Sequence, residues 1–238
     1  MTANNIVYLV PSFLSEESIE TIPSYVINAV KNCKVIFAEN ERTARRFLKS
    51  ICREIVIDDY EWFTIHKAEE EQLTTFRQKI KEGKNIAVIS EAGCPGIADP
   101  GQLLVQAAQQ MNVTVRPLVG PSAILLALMA CGMNGQQFTF TGYLPIDSQP
   151  RAAKLKELEE TAAQNKCTQV FIETPYRNNQ LLETILKTCK PSTLLCIASE
   201  LTSKNEFIKT KSIGDWRNEK IDLHKKPVIF CLYHESGR

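Results

Sequence analysis

No apolar run in this chain of 238 residues approaches the ~20 residues that cross a bilayer as a helix, so no membrane partner is expected. The opening MTANNIVYLV carries no basic leader and no cleavage site, and a secretion signal is not expected either. There is no CxxC pair among the eight cysteines, and only three histidines are present, none paired at ligand spacing. A structural metal site is therefore not expected. The cysteines read as reduced, small core residues of a cytoplasmic protein. The dinucleotide fingerprint G-x-G-x-x-G, the phosphate loop G-x-x-x-x-G-K-[ST] and the nucleophile elbow G-x-S-x-G are all missing, which weakens NAD, ATP and Ser-His-Asp chemistry. Excess charge of one sign is missing as well. With 28 Lys and Arg against 27 Asp and Glu, the net charge is +1. A protein gripping nucleic acid through phosphates alone is usually more basic, so DNA is not an expected partner, whereas recognition of a structured RNA by shape stays open.

What is present is a rhythm. IVYLV, KVIFAE, EIVIDD and NIAVIS (54–59 being the third) read as strands. They are separated by helical stretches over SEESIETIPSYVINAVKN, ERTARRFLKSIC and residues 69–82. GQLLVQAAQQM follows as a helix, VTVRPL as a strand, and SAILLALMACG as a helix apolar enough to expect packing on two sides. This alternation predicts an α/β domain with a mainly parallel sheet. After about residue 135 the strands QFTFTGYL, TQVFIET, TLLCIASEL, NEFIKTKSI and KPVIFCLY crowd closer, with two helices between them, and predict a mixed sheet. The expected division is 1–115 and 116–238.

Ligands of open α/β sheets sit beyond the carboxyl ends of strands. Four loops there stand out: PSFLSEES, SEAGCPGIADPG, LVGPSA and ETPYRN. The second, residues 90–101, holds three of the ten glycines and two of the eleven prolines. Short, Pro-stiffened and poor in cations, these loops suit a neutral or cationic small molecule better than a polyphosphate.

The motifs ENERTAR, EAGCPGIADPG, VGPSA, ETPYR and SELT occur in this order along the chain. In that order they resemble the tetrapyrrole (corrin/porphyrin) methylase family of S-adenosylmethionine-dependent methyltransferases. Within it they resemble the bacterial branch that 2'-O-methylates a cytidine of 16S ribosomal RNA. The resemblance implies two α/β domains with the methyl donor in the cleft between them, and a homodimer. Carried over by position, Ala92, Gly93, Pro95, Ile97, Ala98 and Asp99 line the donor, followed by Ser122 and Ala123. Phe171, Ala198, Leu201, Pro227 and Val228 complete the lining. On this view the glycines let main chain approach the donor, and Cys94 packs beside it. The first loop VPSFLSEESIETI and the segment TIHKA depart from the branch, as do Tyr176 in ETPYR and Ser199 in SELT.

A hydroxyl acceptor wants a general base. Glu39, at a strand end beside Arg42, is the first choice; Glu173, Glu200 and His66 are alternatives. Phe13, Trp62, Phe63 and His66 form an aromatic-rich acceptor set, and Arg42 and Arg177 are placed to meet phosphate. The function expected is methyl transfer to ribosomal or other structured RNA. Methylation of a tetrapyrrole-like or other small molecule, and a donor-binding module without turnover, are the alternatives.

Overall fold

The computed structural model describes residues 5–65 and 69–234. The chain divides into two compact units, Met1–Ser122 and Ala123–Arg238.

The first unit contains strands β1 (Ile6–Val10), β2 (Val35–Ala38), β3 (Glu61–Thr64), β4 (Ile86–Ile89) and β5 (Thr114–Pro117). Its helices are α1 (Tyr25–Lys31), α2 (Glu41–Ile51), α3 (Glu69–Lys81) and α4 (Gln102–Gln110). All strand pairs are parallel, in the order β3-β2-β4-β1-β5. The chain moves one way along the sheet from β1 to β3, then the other way from β3 through β4 to β5. Right-handed crossovers must then place α1 and α2 on one face and α3 and α4 on the other. The two cores follow this rule. Tyr8, Val10, Ile36, Ala38, Ala87 and Ile89 pack on α1 and α2 through Val26, Val30, Phe47 and Leu48. Their strand neighbours Val7, Val35, Phe37, Ile86 and Val88 pack on α3 and α4 through Phe76, Ile80, Leu104 and Ala108. A strand covered on both faces reads as a continuous apolar run, which is why IAVI and VIFA were legible.

The third strand is not EIVIDD. Residues Ile57–Asp59 form a 3-10 turn, and β2 pairs with EWFT, Val35 opposite Glu61 and Ala38 opposite Thr64. Of the earlier run Ile55 is buried in the core and Ile57 packs partly against it, while Val56 is 54% exposed. The Trp62 indole donates to the Ile57 carbonyl at 3.0 Å and fixes the turn against the strand. The helix expected after β1 is also shorter: a 3-10 turn at Ile19–Thr21 precedes α1, and Pro23, which lacks an amide donor, separates them.

The second unit contains α5 (Ala123–Ala130), β6 (Phe138–Tyr143), α6 (Ser148–Asn165), β7 (Thr168–Ile172), α7 (Asn178–Thr188), β8 (Leu194–Ser199), β9 (Phe207–Ser212), α8 (Ile213–Trp216) and β10 (Val228–Tyr233). Its sheet runs β6-β7-β10-β8-β9. The β6–β7 pair is parallel and the others are antiparallel, so the sheet is mixed as expected. Leu155, Leu158, Leu181, Ile185 and Trp216 cover one face over Phe171, Ile197 and Phe230. Helix α5 is not packed on two sides. Ala127 and Leu128 are buried, but Leu125 and Met129, one turn apart, are 51% and 80% exposed.

Where the loops after β1 and β5 meet, there is no room for a side chain at Gly120: an added Cβ would lie 2.3 Å from the Cβ of Pro11. A proline ring cannot swing aside. Gly120→Ala should therefore destabilise the protein by about 2 kcal/mol or more, measurable as a lower urea midpoint. A wild-type midpoint would mean that the two loops separate without cost.

Candidate functional site

Adjacent strands β1 and β4 send their exits to opposite faces of the sheet, which opens a crevice at their carboxyl ends. The loop that leaves β4, residues 90–101, lies there. A two-way bridge ties it to the β1 exit: the Ser12 amide donates to the Gly93 carbonyl at 2.9 Å, and the Gly93 amide to the Ser12 carbonyl at 3.1 Å. The Ser12 hydroxyl adds a bond to the Ser90 carbonyl at 2.8 Å. Gly93 adopts φ +71°, a left-handed conformation that favours glycine. A Cβ there would touch Leu14 and the Pro121 carbonyl, both at ordinary contact distance.

Beyond Gly93 the loop closes on itself through Gly96 N–H to Pro100 C=O at 3.1 Å and Ile97 N–H to Cys94 C=O at 3.2 Å. Pro95 is buried, whereas Ala92, Ile97 and Ala98 are exposed. Ala98 is held at φ 63°, a strained conformation for a residue with a Cβ. Cys94 is half-buried, its thiol 3.6 Å from the Pro121 carbonyl, and burial followed by the nearby Asp99 charge pushes that thiol up.

On the other side of β4, Asn40 caps α2, its side-chain oxygen accepting from the Arg42 and Thr43 amides at 3.0 and 3.3 Å. This cap turns the chain sharply after Glu39. Glu39 is buried and accepts the Glu91 amide at 2.9 Å. Thr43 donates to the Glu91 carboxylate at 3.2 Å. Glu39, Asn40, Glu41, Arg42, Thr64 and Glu91 line a hollow of about 350 Å³, with Arg42 exposed at its rim. A smaller hollow of about 160 Å³ includes Ser12, Phe13, Phe47, Thr43, Glu91 and Ala92. Asp99 is half-buried, and its carboxyl is raised from 3.8 to about 7, by burial first and then by the charges of Glu39 and Glu91.

The N-terminus of α4 directly follows the loop. A helix start of this kind often holds a phosphate, but here it is filled from within. One oxygen of Glu69, the first residue of α3, accepts the amides of Gly101, Leu103 and Leu104 at 3.1, 2.7 and 3.2 Å.

The expected site residues therefore separate. Ala92, Gly93, Pro95, Ile97, Ala98 and Asp99 share the β4 loop, and Glu39, Arg42 and Phe13 lie at neighbouring strand exits. Trp62 and Phe63 sit within the edge strand β3 and are engaged in packing. Phe63 stacks on Phe37 with centroids 4.9 Å apart, and Arg45 lies 5.1 Å over the Trp62 ring. Phe13 meets Phe47 edge-on at 5.3 Å. His66 lies outside the described residues. Ser122 ends the first unit and Ala123 opens the second, both partly buried. In the second unit Phe171 and Val228 belong to the core, Phe171 stacked on Phe230 at 5.8 Å. Ala198 and Leu201 are buried and Pro227 is exposed. Arg177 pairs with one carboxylate oxygen of buried Glu173 at 2.6 Å. Glu200 lies 3.5 Å from Lys226.

Sequence reasoning passed over Ser12, Ser90, Glu91 and Glu69. A cap at Asn40 is readable from Asn before a helical run. Nothing local marks Glu69, whose partners lie over thirty positions away.

Comparison with known proteins matches residues 19–216 to the family of tetrapyrrole (corrin/porphyrin) methylases. The chain is 29% identical over 237 residues to the ribosomal RNA small subunit methyltransferase I of Buchnera aphidicola subsp. Schizaphis graminum, covering 98% of this chain and 79% of that protein. It is 36% identical over 174 residues to the protein of the same name from Escherichia coli O157:H7, covering 71% of this chain but 59% of the relative. The fold is shared with the methyltransferase CobJ (TM-score 0.65, 18% identity, 97% of this chain and 94% of that one). It is also shared with diphthine synthase (TM-score 0.66, 11% identity, 96% and 89%). Residues matched over most of the length, and a parallel sheet whose switch point carries the motif loop, lead to one conclusion: this chain belongs to the tetrapyrrole (corrin/porphyrin) methylase family.

Proposed function

We propose that this protein is an S-adenosylmethionine-dependent methyltransferase whose acceptor is RNA of the small ribosomal subunit, methylated on a ribose 2'-hydroxyl. The observation that carries the reading is the β4 loop itself: a preformed turn at the switch point, surrounded by carboxylates, with its helix N-terminus already filled by Glu69. Such a site disfavours phosphate and suits a ligand that is positively charged at its centre. When bound, S-adenosylmethionine supplies a methyl group made electrophilic by its sulfonium.

The protein's own work is then to hold and to align. Ala92, Ile97 and Ala98 present exposed small and apolar surface beside loop peptide groups, and the loop's internal bonds mean that little entropy is lost on binding. A ribose hydroxyl needs a proton acceptor. Glu39 is committed to the Glu91 amide, so we assign that part to Asp99, whose carboxyl titrates near neutrality among Glu39 and Glu91. Arg42 at the rim meets an RNA phosphate. Exposed Leu125 and Met129 on α5 support burial of that face in a homodimer. A ribosomal acceptor implies a cytoplasmic protein.

Calorimetric titration should show S-adenosylmethionine binding at one site per chain without added metal; binding of NAD or ATP instead would end the reading. With radiolabelled donor and lysate from a strain lacking this gene, label should enter small-subunit particles or their RNA. Label in small molecules would favour the other acceptor class, and label nowhere would favour a module without turnover.

The Asp99 assignment predicts a pH dependence of fixed sign. The folded carboxyl keeps its proton to about 7, against 3.8 ordinarily. Its favourable contribution to stability is thus complete below the ordinary value and is lost as pH rises through the folded one. Asp99→Asn should therefore be more stable than wild type at about pH 8, by about 1–2 kcal/mol after allowance for solvent screening, and equal to it near pH 4. Methyl transfer by the wild type should fall below about pH 7. The variant should lose it by a factor of about 10² or more. Full activity in Asp99→Asn would remove this residue from the mechanism.

A further inference from the structure

We infer that Glu69 is the positioning residue of the donor loop, acting from α3 on a segment it does not adjoin in sequence. The inference rests on the assignment of the β4 loop to the methyl donor. Three amides, those of Gly101, Leu103 and Leu104, converge on a single Glu69 oxygen within 3.2 Å. These are the amides that a helix start leaves without partners, and the α4 cap position is glycine, which has no side chain to serve them. Gly101 itself is at φ 128°, and an added Cβ would stand 3.3 Å from the Gly96 amide nitrogen. The loop thus closes tightly where residues 96 and 101 meet, and the Pro100 carbonyl accepting from Gly96 draws the same two ends together. Between those ends lie exposed Ile97, exposed and strained Ala98, and half-buried Asp99. A charged acceptor holding Gly101 from behind fixes where these three residues stand.

Two roles follow from one carboxylate. It satisfies the start of α4, and it neutralises the positive end of the helix, which would otherwise favour an anion beside the loop. Glu69 touches no donor atom in this account; it works through the loop backbone.

The experiment compares wild type, Glu69→Gln and Glu69→Ala at a temperature where circular dichroism shows all three folded. Hydrogen exchange of the peptide spanning 96–104 should rise in Glu69→Ala while that of α2 stays as in wild type. The dissociation constant for S-adenosylmethionine should rise about tenfold or more. Glu69→Gln, which retains an acceptor oxygen, should recover part of the affinity, and added formate should recover part of it in Glu69→Ala alone. A residue that adds only global stability leaves the affinity of the folded protein unchanged. Unchanged affinity in Glu69→Ala, or unchanged exchange over 96–104, overturns the inference. If wild type binds no donor while exchange still rises in Glu69→Ala, the donor assignment of this loop fails and the clamp on the backbone stands as a structural one.

Discussion

The handedness of strand crossovers constrains everything at the candidate site. Because the path along the first sheet reverses at β3, the two helical layers form on opposite faces, and β1 and β4 part company at their carboxyl ends. The crevice is a consequence of topology before any residue is chosen to line it. Side chains then decide what the crevice accepts. Ser12 stitches the two exits together through Gly93, Asn40 turns the chain away after Glu39, and Glu69 closes the far end of the loop. Each contact is made by a different element, so the loop's shape belongs to the whole unit and not to its own twelve residues.

The electrostatics of the crevice follow from the same packing. Burying Asp99 near Glu39 and Glu91 is unfavourable for three ionised carboxylates, and the conflict is resolved by keeping a proton on Asp99 up to about pH 7. Glu39 accepts the Glu91 amide, and Glu91 accepts the Thr43 hydroxyl, so both neighbours are held in place beside Asp99. A group poised near neutrality can both accept a proton and release it. The same cluster explains why no phosphate cradle is found here: anionic surroundings and a filled helix start both oppose one.

How much of this was legible in the sequence depended on how local the cause was. Continuous apolar runs announced β1, β2 and β4, because strands covered on both faces need apolar residues at every position. EIVIDD failed as a strand because the alternative, EWFT, has equally good β-formers and wins by placing Trp62 and Phe63 on the two cores. The loops were found by their glycines and prolines. Their partners were not, since a hydrogen bond from Ser12 to Gly93 or from Leu103 to Glu69 leaves no mark in the intervening residues. The aromatic character of Trp62 and Phe63 suggested a surface for stacking; the structure uses their rings for packing at a sheet edge, which the sequence alone could not distinguish.

The motif residues therefore divide into two kinds. Gly93 and Gly120 serve the loops' own geometry: the first needs a left-handed backbone, and the second has no space beside Pro11. Pro95 is buried and serves the same end. Ala92, Ile97 and Ala98 are exposed, and Asp99 beside them is half-buried. A family motif of this kind marks the scaffold as much as the chemistry. It can persist in chains whose acceptors differ, because losing Gly120 costs the fold whatever the acceptor is. On the function proposed above, the features that tell one acceptor from another lie instead at the β1 and β2 exits, in Phe13 and Arg42, which line the two hollows. Those exits can change without disturbing the crossovers that create the crevice, so one scaffold of this kind is compatible with many acceptors.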